Sequence, residues 1–322
     1  MKTDGSKKIL IAGAGELGSR YLQSVSTCNV PLEVHVLSNN PQSLDICAIR
    51  WAQANEGISV PTHRVFYHTD LGSVPNNLDI VIVASTAGCR PWLVESIAEH
   101  SQVVYWVIEK VVAQSPDGVD SILNNVSGAS NSWVNYYMTS QLWYEDIKRQ
   151  LGAGSSKHME VTGGDWGVAC NALHFLHLFA WFSGEQLISL NSSRLDKRWH
   201  ESKRPGNWEV FGEIQGVFSN GGTVRLVAES GPPQYTLTLR DGELSWEIDE
   251  PNGVARRSDG FEVRGRVPFQ SERRLVEEIL SSGSCGLPTL TGIAKTDKAF
   301  IGLMLEHWQK CNDLSANLVP IT

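Results

Sequence analysis

The segment that most constrains this chain is its opening. The apolar run Ile9-Leu-Ile-Ala12 leads directly into Gly13-Ala-Gly15-Glu-Leu-Gly18 and then into Ser19-Arg-Tyr-Leu-Gln-Ser-Val25, which reads as strand, glycine turn and helix. In that context the first glycine permits a tight turn, the second lets another group approach the backbone, and the third lets the helix pack closely on the strand. The same alternation continues. Strands are expected at Leu32–Leu37, Arg64–Tyr67, Asp79–Ala84 and Gln102–Ile108, with helices at Pro41–Asn55 and Pro91–His100. Ile80-Val-Ile-Val83 is apolar at every position, as a strand buried on both faces must be. Successive βα units of this kind imply a parallel sheet, because a parallel connection needs a crossover of about a dozen residues.

Beyond about residue 125 the pattern changes. A strand is expected at Trp133–Tyr136, a helix at Leu142–Leu151, a strand at Lys157–Thr162 and a long apolar helix at Ala169–Phe182. Strands then dominate, at Leu187–Arg194, Trp208–Phe218, Thr223–Glu229, Tyr235–Arg240 and Glu243–Ile248. Turn signals such as Asn220-Gly-Gly222 and Asp241-Gly242 separate them, as in an antiparallel meander. Helices at Ser271–Leu280 and Ile293–Lys310 close the chain. The expected fold is α/β: a doubly wound parallel domain over residues 1–128, then an α+β domain over 129–322 with a large, mostly antiparallel open sheet.

Composition removes several classes of partner. With Lys+Arg 27 against Asp+Glu 35, the net charge of -8 argues against nucleic acid or an anionic membrane as the main partner. No apolar stretch approaches the ~18 residues of a membrane span, and the first residues lack the apolar core of a secretory signal, so a cytoplasmic location is expected. The six cysteines include no CxxC pair and read as reduced thiols.

The glycine turn points to a dinucleotide whose pyrophosphate meets the helix N-terminus, as in a Rossmann domain. An acid about 20 residues further on would receive the ribose hydroxyls of NAD. Ser38-Asn39-Asn40 stands there instead, which removes an obstacle to a 2′-phosphate and favours NADP slightly over NAD. Gly13, Gly15, Glu16, Leu17, Gly18, Ser38, Asn39, Ser85, Thr86 and Glu109 are the expected cofactor contacts. Lys110 follows a strand end, where it can hold a substrate oxygen; the alternative is a surface lysine. Cys170, His174 and His177 share one helical face. Three readings of that face stand open: acid-base work by His174, a zinc site, and simple burial. Lys203 and Arg204, with Arg194, Lys197 and Arg198 upstream, form either a solvated basic loop or a clamp for an acidic or nucleotide-linked sugar.

Together the glycine turn, Glu109-Lys110 and the helix of His174 resemble the Gfo/Idh/MocA oxidoreductases over nearly the whole chain. The resemblance implies NAD(P)-dependent hydride transfer to or from a sugar-like substrate, and a homodimer or homotetramer built through the open sheet. Within it Lys110 matches the lysine of the family's Glu-Lys-Pro motif, with Val111 in place of proline, and His174 matches the histidine of Asp-x-Gly-x-His, with Cys170 in place of the aspartate. Asn171 and His177 would then face substrate. Gly164–Asn171 is similar to a subgroup that accompanies surface-polysaccharide or acidic-sugar genes; the arginine expected there after Val134-Asn135 is replaced by Tyr136-Tyr137. The alternatives are a non-catalytic dinucleotide sensor or partner subunit, and a zinc enzyme.

Overall fold

The computed structural model describes residues 5–56, 63–152, 154–265 and 275–322. They form two compact units. The first combines the chain up to Val112, Asp117–Asn135 and a returning segment that ends at Thr291. Its strands are β1 (Lys7–Ala12), β2 (Leu32–Leu37), β3 (Arg64–His68), β4 (Asn77–Val83), β5 (Gln102–Ile108) and β6 (Asn131–Val134). They lie in the order β3-β2-β1-β4-β5-β6, every pair parallel. Helices α1 (Glu16–Val25), α2 (Pro41–Ala54), α3 (Arg90–His100) and α4 (Pro116–Asn125) supply crossovers, whereas β3 and β4 are joined through a short 3-10 turn at Leu71–Ser73. The sequence pattern gave no expectation of a helix at Pro116–Asn125. It also carried the strand at 133 on to Tyr136, whereas β6 ends at Val134.

Local chemistry explains these elements. Ile9, Leu10, Ile11 and Ala12 are fully buried, as are Ile80–Val83, so the central strands need apolar side chains on both faces. Asn40 caps α2 by accepting from the amides of Gln42 at 3.0 Å and Ser43 at 3.4 Å, and Pro41 occupies the first helical position, where no amide donor is required. A single cut at residue 128 misses two features of this unit. β6 completes the sheet beyond that point, and the helix Leu275–Ser282 returns to bury Val276 and Ile279 in the same core as Ile9, Val34 and Trp133. The expected helix began at Ser271, but residues 266–274 lie outside the described residues.

The second unit holds α5 (Leu142–Arg149), β7 (Lys157–Gly163), α6 (Val168–Ser183), β8 (Leu187–Glu201), β9 (Trp208–Phe218), β10 (Thr223–Ala228), β11 (Tyr235–Asp241), β12 (Leu244–Asp249), β13 (Val254–Arg257) and β14 (Glu262–Arg264). The returning helix of the first unit is α7 (Leu275–Ser282), and α8 (Leu290–Cys311) contributes most of its length to the second. The sheet order β14-β13-β12-β11-β7-β10-β9-β8 corrects the simple meander, because β7 separates β10 from β11 and pairs parallel with β10. One residue of offset distinguishes the two faces. Ile214, Leu226, Val161, Leu237, Ile248 and Ala255 make a buried apolar row across the sheet. The adjacent row, Gln215, Arg225, Glu160, Thr238, Glu247 and Arg256, is polar. Among the described residues no helix is long and apolar enough to cross a membrane.

Candidate functional site

In the first unit the ends of all six strands emerge at one edge. Backbone bonds continue just past the strands, from Gly13 N to Leu37 O, Ser38 N to His68 O, Ala84 N to Ala12 O, Glu109 N to Val83 O and Asn135 N to Ile108 O. This edge therefore gathers Gly13–Gly18, Ser38-Asn39, Ser85-Thr86, Glu109 and Lys110. It includes the point between β1 and β4 where strand order reverses, the usual position of a ligand crevice in open α/β sheets.

The three glycines differ physically. Gly13 has φ +115°, and a Cβ there would lie 2.8 Å from the Ala84 carbonyl carbon. A Cβ on Gly18 would overlap the carbonyl oxygen of Gly13. Gly15 has ordinary φ, and a Cβ on it would meet nothing within 4 Å, yet it begins α1 with no side-chain cap. Two glycines serve the protein's own packing, and the third leaves an open backbone face at a positive helix end. That is the cradle a pyrophosphate requires, so these residues fit a dinucleotide.

Charge around the cradle is arranged in pairs. Glu16 accepts from Arg50 Nη2 at 2.7 Å and Arg20 Nη2 at 2.9 Å, and Arg50 also donates to Ser19 Oγ. The Arg50 guanidinium foremost holds the Glu16 carboxyl below its ordinary pKa. Ser38 Oγ accepts from the Asn40 amide at 3.2 Å, while Asn39 and Thr86 are exposed and Leu17 and Ser85 half-buried.

Glu109 is buried and tied into the protein. Tyr21 Oη donates to its Oε1 at 2.6 Å, and Asn135 Nδ2 donates to Glu109 at 2.7 Å and to Tyr21 at 2.6 Å. Burial and the adjacent carboxylate push the Tyr21 phenol well up. Lys110 follows, half-buried, and the Lys110–Val111 peptide is cis. Arg90, 1% exposed, donates to the carbonyls of Ser85, Val111 and Val112, fastening the segment after β5 to the loop after β4. Sequence reasoning missed Tyr21, Arg90 and Asn135. Arg90 had a signal, an arginine at the start of a helix just before a proline; Tyr21 looked like an ordinary helix residue.

In the second unit α6 carries Cys170, Asn171, His174 and His177. Gly167, at φ +78°, gives α6 no capping side chain; Glu209 on β9 replaces it, accepting from the amides of Ala169 at 2.8 Å and Cys170 at 3.2 Å. Asn171 Nδ2 donates to Trp166 O at 2.8 Å. His174 is buried between the rings of Tyr136 and Tyr137. His177 is also buried, its Nε2 lying 2.7 Å from Asp297 Oδ1, so that this side chain is engaged inside the core. Lys203 and Arg204 are exposed in the β8–β9 turn. Among the described residues no three His, Cys, Asp or Glu side chains are grouped as metal ligands would be, Cys170, His174 and His177 included.

No protein-family model matches the sequence, and no curated protein matches it by sequence. Solved structures do match. Myo-inositol dehydrogenase from Lactobacillus casei, in complex with NAD(H) and myo-inositol, aligns over 95% of this chain and 96% of its own with TM-score 0.67 and 13% identity. UDP-N-acetylglucosamine 3-dehydrogenase from Acidithiobacillus ferrooxidans aligns over 94% and 96% with TM-score 0.67 and 13% identity. A super-repressor mutant of Gal80p from Saccharomyces cerevisiae aligns over 94% and 95% with TM-score 0.69 and 14% identity. At these identities the likeness is one of architecture: the chain has the fold of the Gfo/Idh/MocA-type oxidoreductases.

Proposed function

We propose that this protein is an NAD(P)-dependent oxidoreductase acting on a CH–OH group of a sugar-like substrate. The observation that carries the reading is the open Gly15 face between two sterically obligatory glycines, at the reversal point of a parallel sheet. Solved structures of this fold that bear the names of inositol and nucleotide-sugar dehydrogenases support it. Gly13–Gly18 would hold the pyrophosphate, with Ser38 and Asn39 toward the ribose. The dinucleotide supplies the hydride acceptor or donor when bound. In the oxidation direction the His174 imidazole takes the hydroxyl proton and Lys110 Nζ donates a hydrogen bond to the reacting oxygen; reduction reverses the proton's path.

The acid-free turn at Ser38-Asn39-Asn40 favours NADP, although Asn40 is committed to capping α2 and Ser38 to the turn itself. Ser38→Asp is expected to weaken NADP binding more than NAD binding; the reverse order would remove this preference. A homodimer or homotetramer through the polar face of the eight-stranded sheet completes the reading.

The reading is tested by following reduced nicotinamide with myo-inositol and UDP-N-acetylglucosamine as probe substrates and NAD+ or NADP+ as acceptor. Lys110→Ala and His174→Ala are each expected to lower turnover by about a hundredfold or more while dinucleotide affinity changes little. Full activity in both variants would refute the assignment. A second reading, a dinucleotide-binding regulator, draws on the likeness to the Gal80p super-repressor. Saturable binding of a dinucleotide without turnover of any polyol or sugar would select it.

A further inference from the structure

His174 is 6% exposed, and two consecutive tyrosines meet its ring edge-on. The Tyr136 centroid lies 5.6 Å away with the planes at 89°, and that of Tyr137 lies 5.0 Å away at 69°. Each phenol is anchored on a different buried carboxylate. Tyr136 Oη donates to Asp297 Oδ2 at 2.7 Å, and the other oxygen of Asp297 meets His177. Tyr137 Oη donates to Glu250 Oε1 at 2.9 Å, and Tyr235 Oη donates to Glu250 Oε2. Asp297 is 0% and Glu250 2% exposed.

A ring-edge contact alone permits the partner ring to slide and tilt. A phenol bonded to a buried carboxylate is far more restricted, because leaving that carboxylate short of donors is costly. The Tyr137 ring is therefore held at its hydroxyl end while it stays in T-shaped contact with the imidazole. We propose that Tyr137, anchored by Glu250, is a positioning residue that fixes the orientation of the His174 ring. Its bearing on proton transfer rests on the acid-base role assigned to His174 above, whereas the orientation itself can be read without any substrate.

The test uses the full chain with labelled histidine, the His174 imidazole resonance being identified by its loss in His174→Gln. Tyr137→Phe keeps the ring and removes the anchor, and is expected to shift or broaden that resonance. With myo-inositol as probe it is expected to lower kcat about tenfold with NAD+ affinity within about twofold. Glu250→Gln still offers an oxygen to Tyr137 and is expected to leave the resonance near its wild-type position and kcat within about twofold. Glu250→Leu removes the acceptor without touching Tyr137, is expected to reproduce the Tyr137→Phe shift, and decides the matter if Tyr137→Phe does not fold. An unchanged His174 resonance in Tyr137→Phe or Glu250→Leu overturns the inference whatever the activity. Full activity of His174→Ala would overturn the acid-base reading and leave the resonance test intact.

Discussion

Gly13, Gly15 and Gly18 sit in one turn, yet a Cβ would meet backbone at Gly13 and at Gly18 and nothing within 4 Å at Gly15. At Gly18 the obstacle is backbone within the turn itself, so Gly18→Ala is expected to cost about 1–3 kcal/mol or more in denaturant unfolding, as overpacking does. An unchanged midpoint would show that the turn relaxes. Glu250 makes a second residue-scale prediction. Burial raises its carboxyl pKa, and the hydroxyl donors of Tyr235 and Tyr137 oppose that rise. A carboxyl raised in the fold favours the protonated form, so its contribution to stability is present at low pH and is lost as pH rises through the folded value. The melting advantage of Glu250→Gln over wild type should therefore grow from about pH 5 to about pH 8. An advantage that shrinks over that range would mean that the donors outweigh the burial.

The helices α1 and α6 both begin at a glycine, with opposite consequences. Glu209 fills the start of α6 with a carboxylate, which satisfies its amides and leaves that end unsuited to an external anion. Gly15 leaves the start of α1 open. Glu209→Ala is expected to destabilise the protein by about 2 kcal/mol, measured by denaturant midpoint, without altering dinucleotide affinity. Loss of affinity without loss of stability would assign the anion to α6 instead. Elements of this kind also show what the sequence could convey. The strands β5 and β9 matched their expected bounds because apolar patterning and turn residues mark both ends. Glu209 as a cap, Glu250 among tyrosines and Asp297 beside His177 were not legible, since each acts on residues far away in the chain. Short-range periodicity contains no signal for such pairs.

At the scale of the whole molecule, the chain does not divide at one point. The core around Ile9, Val34 and Trp133 also needs Val276, Ile279 and Leu287 from the returning segment. That segment runs beside β6, with Val134 N donating to Pro288 O at 3.0 Å. A chain ending at Asn135 is therefore expected to lack a cooperative melting transition; a sharp transition would contradict the shared core. The parallel order of the first sheet was implicit in the βα alternation, whereas the insertion of β7 between β10 and β11 was not, because strand order depends on long-range pairing.

The central claim is that the Gly15 face receives a dinucleotide pyrophosphate, and titration calorimetry with NAD+ and NADP+ on wild type and Gly15→Val tests it most directly. The wild-type chain is predicted to bind at least one of them saturably. Gly15→Val, whose side chain meets no protein atom within 4 Å at its Cβ, is predicted to melt like wild type and to lose about tenfold or more in affinity. A folded wild-type chain that binds neither dinucleotide, or a Gly15→Val variant that binds as tightly as wild type, would contradict the account.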